Sequence, residues 1–401
     1  MRAIISHPGL QHSHQLALSL DENDSLMLYI SGYPFISTKN KSFFEKIPGI
    51  ERIRDINIVY TKRLHVPFFP MLAKIVVTIF PSRIGHLWQH LQNYFFDFLV
   101  SLVILYKKPD IVIAYENSAK LTFLAAKKVK AFCILDASSV HPDIGRDLMR
   151  HAGQSDPEWI NRWKRREIEL ADLVISCSPF AAETYRHVVS PERLKVATLG
   201  TELRGLNSSE HFSNMNRPLN FVFVGPAGFR KGSDLLLDVF QGFQKNGRSA
   251  NLTFVGSILE PELVSRIEML DNVHHYSSMN QSKLFDFLFN YDCLVLPSRF
   301  DSFGMVVPEC MALGIPAIVS DQVGAKCIIE ENPKAGWIVP CTVEGLRDCI
   351  NILVEHPEMI QNASPFARIA AEKYSWPAYR KRVFGLIDLA YREAANGLLP
   401  K

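Results

Sequence analysis

The chain has 401 residues, enough for two or three domains at roughly 100–200 residues each. Hydrophobic residues make up 47% and charged residues 21%, which excludes a disordered or fibrous protein. A formal net charge of +3 is too mild for a nucleic-acid-binding chain, so no nucleic-acid partner is expected.

In chain order, Arg2–Ile5 and Leu26–Ile30 are short apolar runs that open a sheet. The apolar run in the first ten residues is too short for a signal peptide. The longest apolar stretches, such as Phe98–Tyr106, fall short of the ~20 residues that cross a bilayer. A cytoplasmic protein is therefore expected. Residues 56–96 contain no Asp or Glu but carry Lys62, Arg63, Lys74 and Arg83, with His65, His86 and His90. This stretch reads in two ways. It is a core helix pair with solvated basic edges, or a cationic amphipathic patch, led by Phe68 and Phe69, that lies on the inner face of an anionic membrane.

From residue 110 the alternation is regular. Ile111–Ala114, Ala131–Leu135, Leu173–Ser176 and Lys195–Thr198 read as buried strands, and Ser118–Val129, Pro157–Ala171 and Pro179–Val188 as helices between them. The polar segment 201–218 breaks the pattern and reads as a linker. The alternation then restarts, with strands at Asn220–Val224, Leu252–Val255, Val273–Tyr276, Cys293–Leu296, Pro316–Ser320 and Trp337–Val339 and a long helix at Trp376–Ala395. Such βαβ repetition predicts an α/β protein with two doubly wound Rossmann-like domains, residues 1–200 and 201–375, followed by a terminal helical segment, 376–401. Ligands of such sheets lie outside the carboxyl ends of the strands, so the cleft between the domains is the expected site. The seven cysteines stand singly without a CxxC pair, as buried thiols do, and offer no zinc site.

Two loops suit a diphosphate. In the first, the strand Phe221–Val224 runs into Gly225-Pro226-Ala227-Gly228-Phe229-Arg230-Lys231-Gly232 and then a helix that Ser233 or Asp234 could cap. Backbone N–H groups at a helix start attract anions, and Arg230 and Lys231 add charge. The loop fits neither the Walker spacing nor the GxGxxG dinucleotide fingerprint. In the second, Leu294-Val295-Leu296-Pro297-Ser298 leads into Arg299-Phe300-Asp301-Ser302-Phe303-Gly304-Met305 and a helix with Pro308 and Glu309 in its first turn and Gly314 at its end. Glu309 either stabilises the helix dipole or accepts hydrogen bonds from a vicinal diol.

These two segments resemble the donor site of retaining glycosyltransferases of family four, also described as glycosyl transferases group 1, which have the GT-B fold. The family's pair of acidic residues separated by seven others is present as Asp301 and Glu309, preceded by Leu296-Pro297-Ser298 and followed by Ala312–Pro316. The likeness is strong over 219–340, weaker over 130–200, and only architectural over 1–110. Two positions depart from the family pattern: Pro226 stands where an arginine is frequent, and Asp301 where Glu is usual.

The resemblance implies a sugar transfer from a nucleotide-sugar donor, a UDP- or GDP-sugar, to a hydroxyl of a carbohydrate or lipid-linked acceptor. It implies retention of anomeric configuration, glycan or glycolipid assembly, and no cofactor and no metal. Lys231 would hold the diphosphate, with Arg230 supplying the charge absent at Pro226. Asp301 would lie beside the transferred sugar. Gly225, Gly228, Ser298 and the amides of Phe303, Gly304 and Met305 would line the donor, and Glu309 would bind the ribose. In the first domain, Gly9 would approach the phosphate from the loop His7–His14, and His141 would stand near the acceptor or the transferred sugar. The histidines His7, His12 and His14 read as loop filler rather than metal ligands. The alternative function is a catalytically impaired nucleotide-sugar-binding protein of the same fold.

Overall fold

The computed structural model describes residues 1–9, 11–32, 58, 60–66, 83–150, 156–203, 217–245 and 250–398. They form two parallel sheets. The first contains β1 (Ala3–His7), β2 (Leu26–Ser31), β3 (Arg63–His65), β4 (Ile111–Tyr115), β5 (Phe132–Ala137), β6 (Leu173–Ser176) and β7 (Leu194–Val196). Its order is β3-β2-β1-β4-β5-β6-β7. The second contains β8 (Leu219–Val224), β9 (Ala250–Val255), β10 (Val273–Tyr276), β11 (Cys293–Leu296), β12 (Ala317–Ser320) and β13 (Gly336–Val339), in the order β10-β9-β8-β11-β12-β13. Helices cover both faces, so central strands are buried on both sides and read as continuous apolar runs; every residue of β1, β4 and β11 is buried. The chain is thus α/β with two Rossmann-like units, as the alternation predicts.

Strand order reverses between β1 and β4 in one sheet and between β8 and β11 in the other, and loops at these two switch points flank the ligand side. Several elements escape the sequence reading, among them the helices Ser13–Asp21 and Pro142–Arg150. β3 is a three-residue, half-buried edge strand with too few positions to show a period. The helix Arg83–Lys107 buries Phe96, Val100 and Ile104 but also exposes Leu91, Tyr94, Phe98 and Leu102, so its apolar residues do not gather on one face. The expected helix Pro179–Val188 ends at Glu183 and continues as turns, although Ser178 caps it through a hydrogen bond from the Ala181 N–H.

The units meet along two strands of chain. The Thr201 N–H donates to the Tyr374 carbonyl (2.7 Å), and the Trp376 N–H donates to the Thr201 carbonyl (3.0 Å). A side chain at Gly200 would collide with the Ser375 carbonyl. The expected linker therefore begins as a paired segment; residues 204–216 lie outside the described residues. The terminal helix Trp376–Ala395 then packs on the helix Ser13–Asp21. There Arg380 donates to Gln15 (2.7 Å), pairs with Glu22 and accepts from Ser19 (2.6 Å) at its carbonyl.

Candidate active site

At the second switch point the glycine loop is shaped by its backbone. Gly225 adopts φ +136°, and Gly232 adopts φ +70° with no room for a side chain against the Pro297 carbonyl. That approach carries the turn Phe229–Lys231 onto the loop after β11. Lys231 there forms an ion pair with Asp301, each side chain only 13% exposed. Arg230 is half-buried and donates to the Phe300 carbonyl (3.1 Å). The other half of the loop has an acidic neighbour: the Glu260 carboxylate accepts from the Phe229 N–H (3.1 Å) and fills the space beside Gly228. Ser233 does not cap its helix here; its hydroxyl accepts from the Gly228 N–H (3.0 Å).

Arg299 is the residue that sequence reasoning passes over. Its guanidinium grips both oxygens of Asp234 (2.6 Å each), donates to the Phe229 carbonyl (2.6 Å) and stacks on the Phe229 ring at 3.8 Å. Its N–H also donates to the Arg230 carbonyl (2.9 Å). The planar fork fixes the basic turn from three directions. No local signal reveals this, because Asp234 and Arg299 are 65 residues apart.

The acidic loop is equally fixed. The Asp301 N–H donates to the Gln322 carbonyl (3.1 Å), and the Asp301 carbonyl accepts from Gly324 (2.9 Å). Gly304 has φ +91°, and a side chain there would point toward Val323, Leu296 and the Asp301 carboxylate. Among the described residues, the N–H groups of Phe303, Gly304 and Met305 donate to no protein acceptor. Phe303 and Ser298 are buried, and the Ser298 hydroxyl lacks a partner among the described residues. Glu309 is half-buried in the first turn of the helix Val306–Ala312. Ser302 reaches across the cleft: its hydroxyl donates to the Ser138 carbonyl (2.9 Å), and its carbonyl accepts from Ser178 (2.5 Å).

The first-domain residues are placed differently. His141 lies in the loop after β5, 1% exposed, edge-on to Tyr185 (5.6 Å) and His187 (4.6 Å). Burial, with help from His187, pushes its pKa down to about 4, so it is neutral at pH 7. The Gly9 N–H donates to His7 Nδ1 (2.7 Å). His7, His12 and His14 are all buried rather than loop filler. His7 closes β1 against Tyr115, His12 pairs with Asp136 (3.0 Å), and His14 lies against Trp376. Burial, reinforced by His12, lowers the His7 pKa to about 4. Among the described residues no group of three or more His, Cys, Asp or Glu is placed to hold a metal ion. All seven cysteines are free, five of them buried.

The basic stretch 56–96 is only partly visible. Lys62 is tied to Asp21 (2.6 Å), whereas Phe68, Phe69 and Lys74 lie outside the described residues.

Residues 208–369 match the family model of glycosyl transferases group 1. An alpha-D-kanosaminyltransferase of Streptomyces kanamyceticus is 26% identical over 201 residues, 48% of this chain and 50% of its own. The chain thus spans about half the length of that curated relative. Two solved structures superpose over almost the whole chain. Sucrose-phosphate synthase of Thermosynechococcus elongatus has a TM-score of 0.69 at 15% identity, covering 98% of this chain and 100% of that one. Anabaena HepE in complex with UDP and glucose has a TM-score of 0.65 at 16% identity, covering 97% and 99%. The second domain is thus similar to the glycosyl transferases group 1 family over residues 208–369, and the two Rossmann-like units make the GT-B fold.

Proposed function

We propose that the chain transfers a sugar from a UDP- or GDP-sugar to an acceptor hydroxyl with retention of configuration, in glycan or glycolipid assembly. The donor lies on the second domain (201–375), the acceptor on the first (1–200), and the segment 376–401 ties them together. The observation that carries this reading is the convergence of Lys231, Asp301 and the unspent amides of 303–305 at the carboxyl ends of β8 and β11. A nucleoside diphosphate leaves readily if its growing charge is neutralised, and Lys231 and Arg230 stand where they can do so. Glu309 takes the ribose, Asp301 the transferred sugar, and Gly225, Gly228 and Ser298 give the phosphates and sugar a close-fitting wall. His141, buried and neutral at pH 7, stands in the loop that touches Ser302, near the acceptor or the transferred sugar. The test is thermal unfolding of the full chain against a panel of nucleotide sugars, with transfer measured for any that bind. Stabilisation by one nucleotide sugar, with transfer from it, is expected. Binding without transfer would favour the impaired binder, and no binding would overturn the donor reading.

The acceptor is lipid-linked or presented beside a membrane, and the enzyme works at its cytoplasmic face. The support is the helix Arg83–Lys107. Leu91, Tyr94, Phe98 and Leu102 are each more than 40% exposed at helical spacing, and its one acid, Asp97, is buried capping Leu121 and Thr122. Lys107 and Lys108 follow, and a cavity of about 470 Å³ beside the helix is lined by Leu64, Val103, Arg63 and Lys107. An apolar, acid-free face with cations at its end suits an anionic lipid surface. No helix among the described residues is long and apolar enough to cross a membrane. Co-sedimentation with anionic vesicles should exceed that with neutral ones and fall in Phe98→Glu/Leu102→Glu; equal recovery in all cases would refute the contact.

A further inference from the structure

The ion pair between Lys231 and Asp301 has a consequence for ligand discrimination. Asp301 cannot withdraw, because its N–H and carbonyl are both held, by Gln322 and Gly324. Its carboxylate meets the Lys231 ammonium and lies 3.6 Å from where a Cβ of Gly304 would stand, above the loop whose amides are unspent. The space between an ammonium and free backbone N–H groups is where a phosphate gains most. In this loop the Lys231 ammonium is held by the Asp301 carboxylate.

We infer that Asp301 is an internal stand-in for the diphosphate and thereby sets the preference for intact nucleotide sugar over bare nucleoside diphosphate. This rests on the donor-binding reading. A phosphate that reaches Lys231 must displace the carboxylate, which is only 13% exposed and loses its charge partner. With an intact donor, the hydroxyls of the sugar stand beside the displaced carboxylate and donate to it, so the exchange is compensated. With the product diphosphate nothing replaces the ammonium, and Asp301 competes for Lys231 and hastens release. One side chain thus reads the sugar and disfavours the product. The side chain is short, so it reaches Lys231 and the sugar only by turning about its own bonds on a fixed backbone.

The test uses the full chain and its Asp301→Asn, Asp301→Glu and Lys231→Ala forms, with inorganic pyrophosphate, UDP, GDP and the corresponding nucleotide sugars as probes in calorimetric titration. Asp301→Asn should bind pyrophosphate and the preferred nucleoside diphosphate at least about fivefold more tightly than wild type, since the competing charge is gone. It should bind the nucleotide sugar no more tightly, so the ratio of sugar-bearing to bare nucleotide affinity falls. Asp301→Glu keeps the charge and should stay within about threefold of wild type for pyrophosphate, and Lys231→Ala should weaken it. A merely structural Asp301 would weaken all probes together. Equal or weaker pyrophosphate binding by Asp301→Asn, with nucleotide-sugar binding intact in wild type, would overturn the stand-in while leaving the donor reading in place. Absence of nucleotide-sugar binding in wild type would bring down both.

Discussion

The two sheets repeat one strand order, yet their switch points hold opposite chemistry. Between β8 and β11 the chain brings charge and donors together: Lys231 against Asp301, half-buried Arg230, and amides without acceptors among the described residues. Between β1 and β4 it packs polar groups away. His7 and Tyr115 meet edge-on at 4.3 Å, His12 pairs with Asp136, and Tyr379 of the terminal helix closes over them. The Tyr115 hydroxyl is buried without a partner among the described residues. The same topology thus gathers a basic turn and an acidic loop in one half and a packed polar support in the other. Topology says where a ligand can lie, and the side chains at the switch point decide whether one does.

That contrast can be broken by substitution. The largest effect is expected for Lys231→Ala, with kcat down by about 10²–10³ and a smaller change in donor affinity, because charge on the leaving diphosphate grows in the transition state. Steady-state and pre-steady-state rates separate the two, and an equal loss in both would make Lys231 a binding group only. Next comes Glu309→Ala, which should weaken donor binding by about 1.5–3 kcal/mol without unfolding the chain. Titration within twofold of wild type would remove Glu309 from the ribose. Arg299→Lys should follow, raising KM for the donor about tenfold while kcat changes less, because a lysine cannot hold Asp234 by two hydrogen bonds or stack on Phe229 in the same plane. If KM stays put, the turn Phe229–Lys231 holds its shape without the clamp.

The smallest effect belongs to the first domain and concerns pH. His7 and His141 each have a folded pKa near 4, below the ordinary 6.5. Between those values the unfolded chain binds more protons, so stability present above pH 6.5 is lost as pH falls toward 4 and levels off below it. His141→Gln should flatten part of that acid limb, moving the melting temperature by about 2–4 °C for each kcal/mol involved. Its transfer rate at pH 7 should stay close to wild type. A collapse of transfer at unchanged stability would place His141 in the chemistry itself.

How much of this the sequence discloses differs between the halves for the same reason. Central strands such as β4 and β11 are buried on both sides and announce themselves as apolar runs. Local motifs announce the second-domain loops, since a glycine with positive φ or an acid in a helix's first turn acts over a few residues. The first domain's decisive contacts are long-range. The pairing of His12 with Asp136 spans 124 residues, and that of Gln15 with Arg380 spans 365. Nothing beside His12 in the chain suggests a buried partner, which is why it reads as loop filler. Arg299 is hidden in the same way, and Glu260, beside the glycine loop, is invisible until β9 and β8 lie side by side. The helix Arg83–Lys107 fails for another reason: an apolar face turned to the exterior erases the period by which helices are recognised.

On the proposed function, the second switch point, and not the first, receives the donor diphosphate. Hydrogen exchange of the full chain, read by mass spectrometry with and without the nucleotide sugar that stabilises it, tests this directly. Slowed exchange is expected at residues 225–232 and 301–309, including the amides of Phe303, Gly304 and Met305, with a smaller change in the loops after β1 and β4. Protection confined to residues 7–14 and 115–119, with 301–309 unchanged, would contradict it.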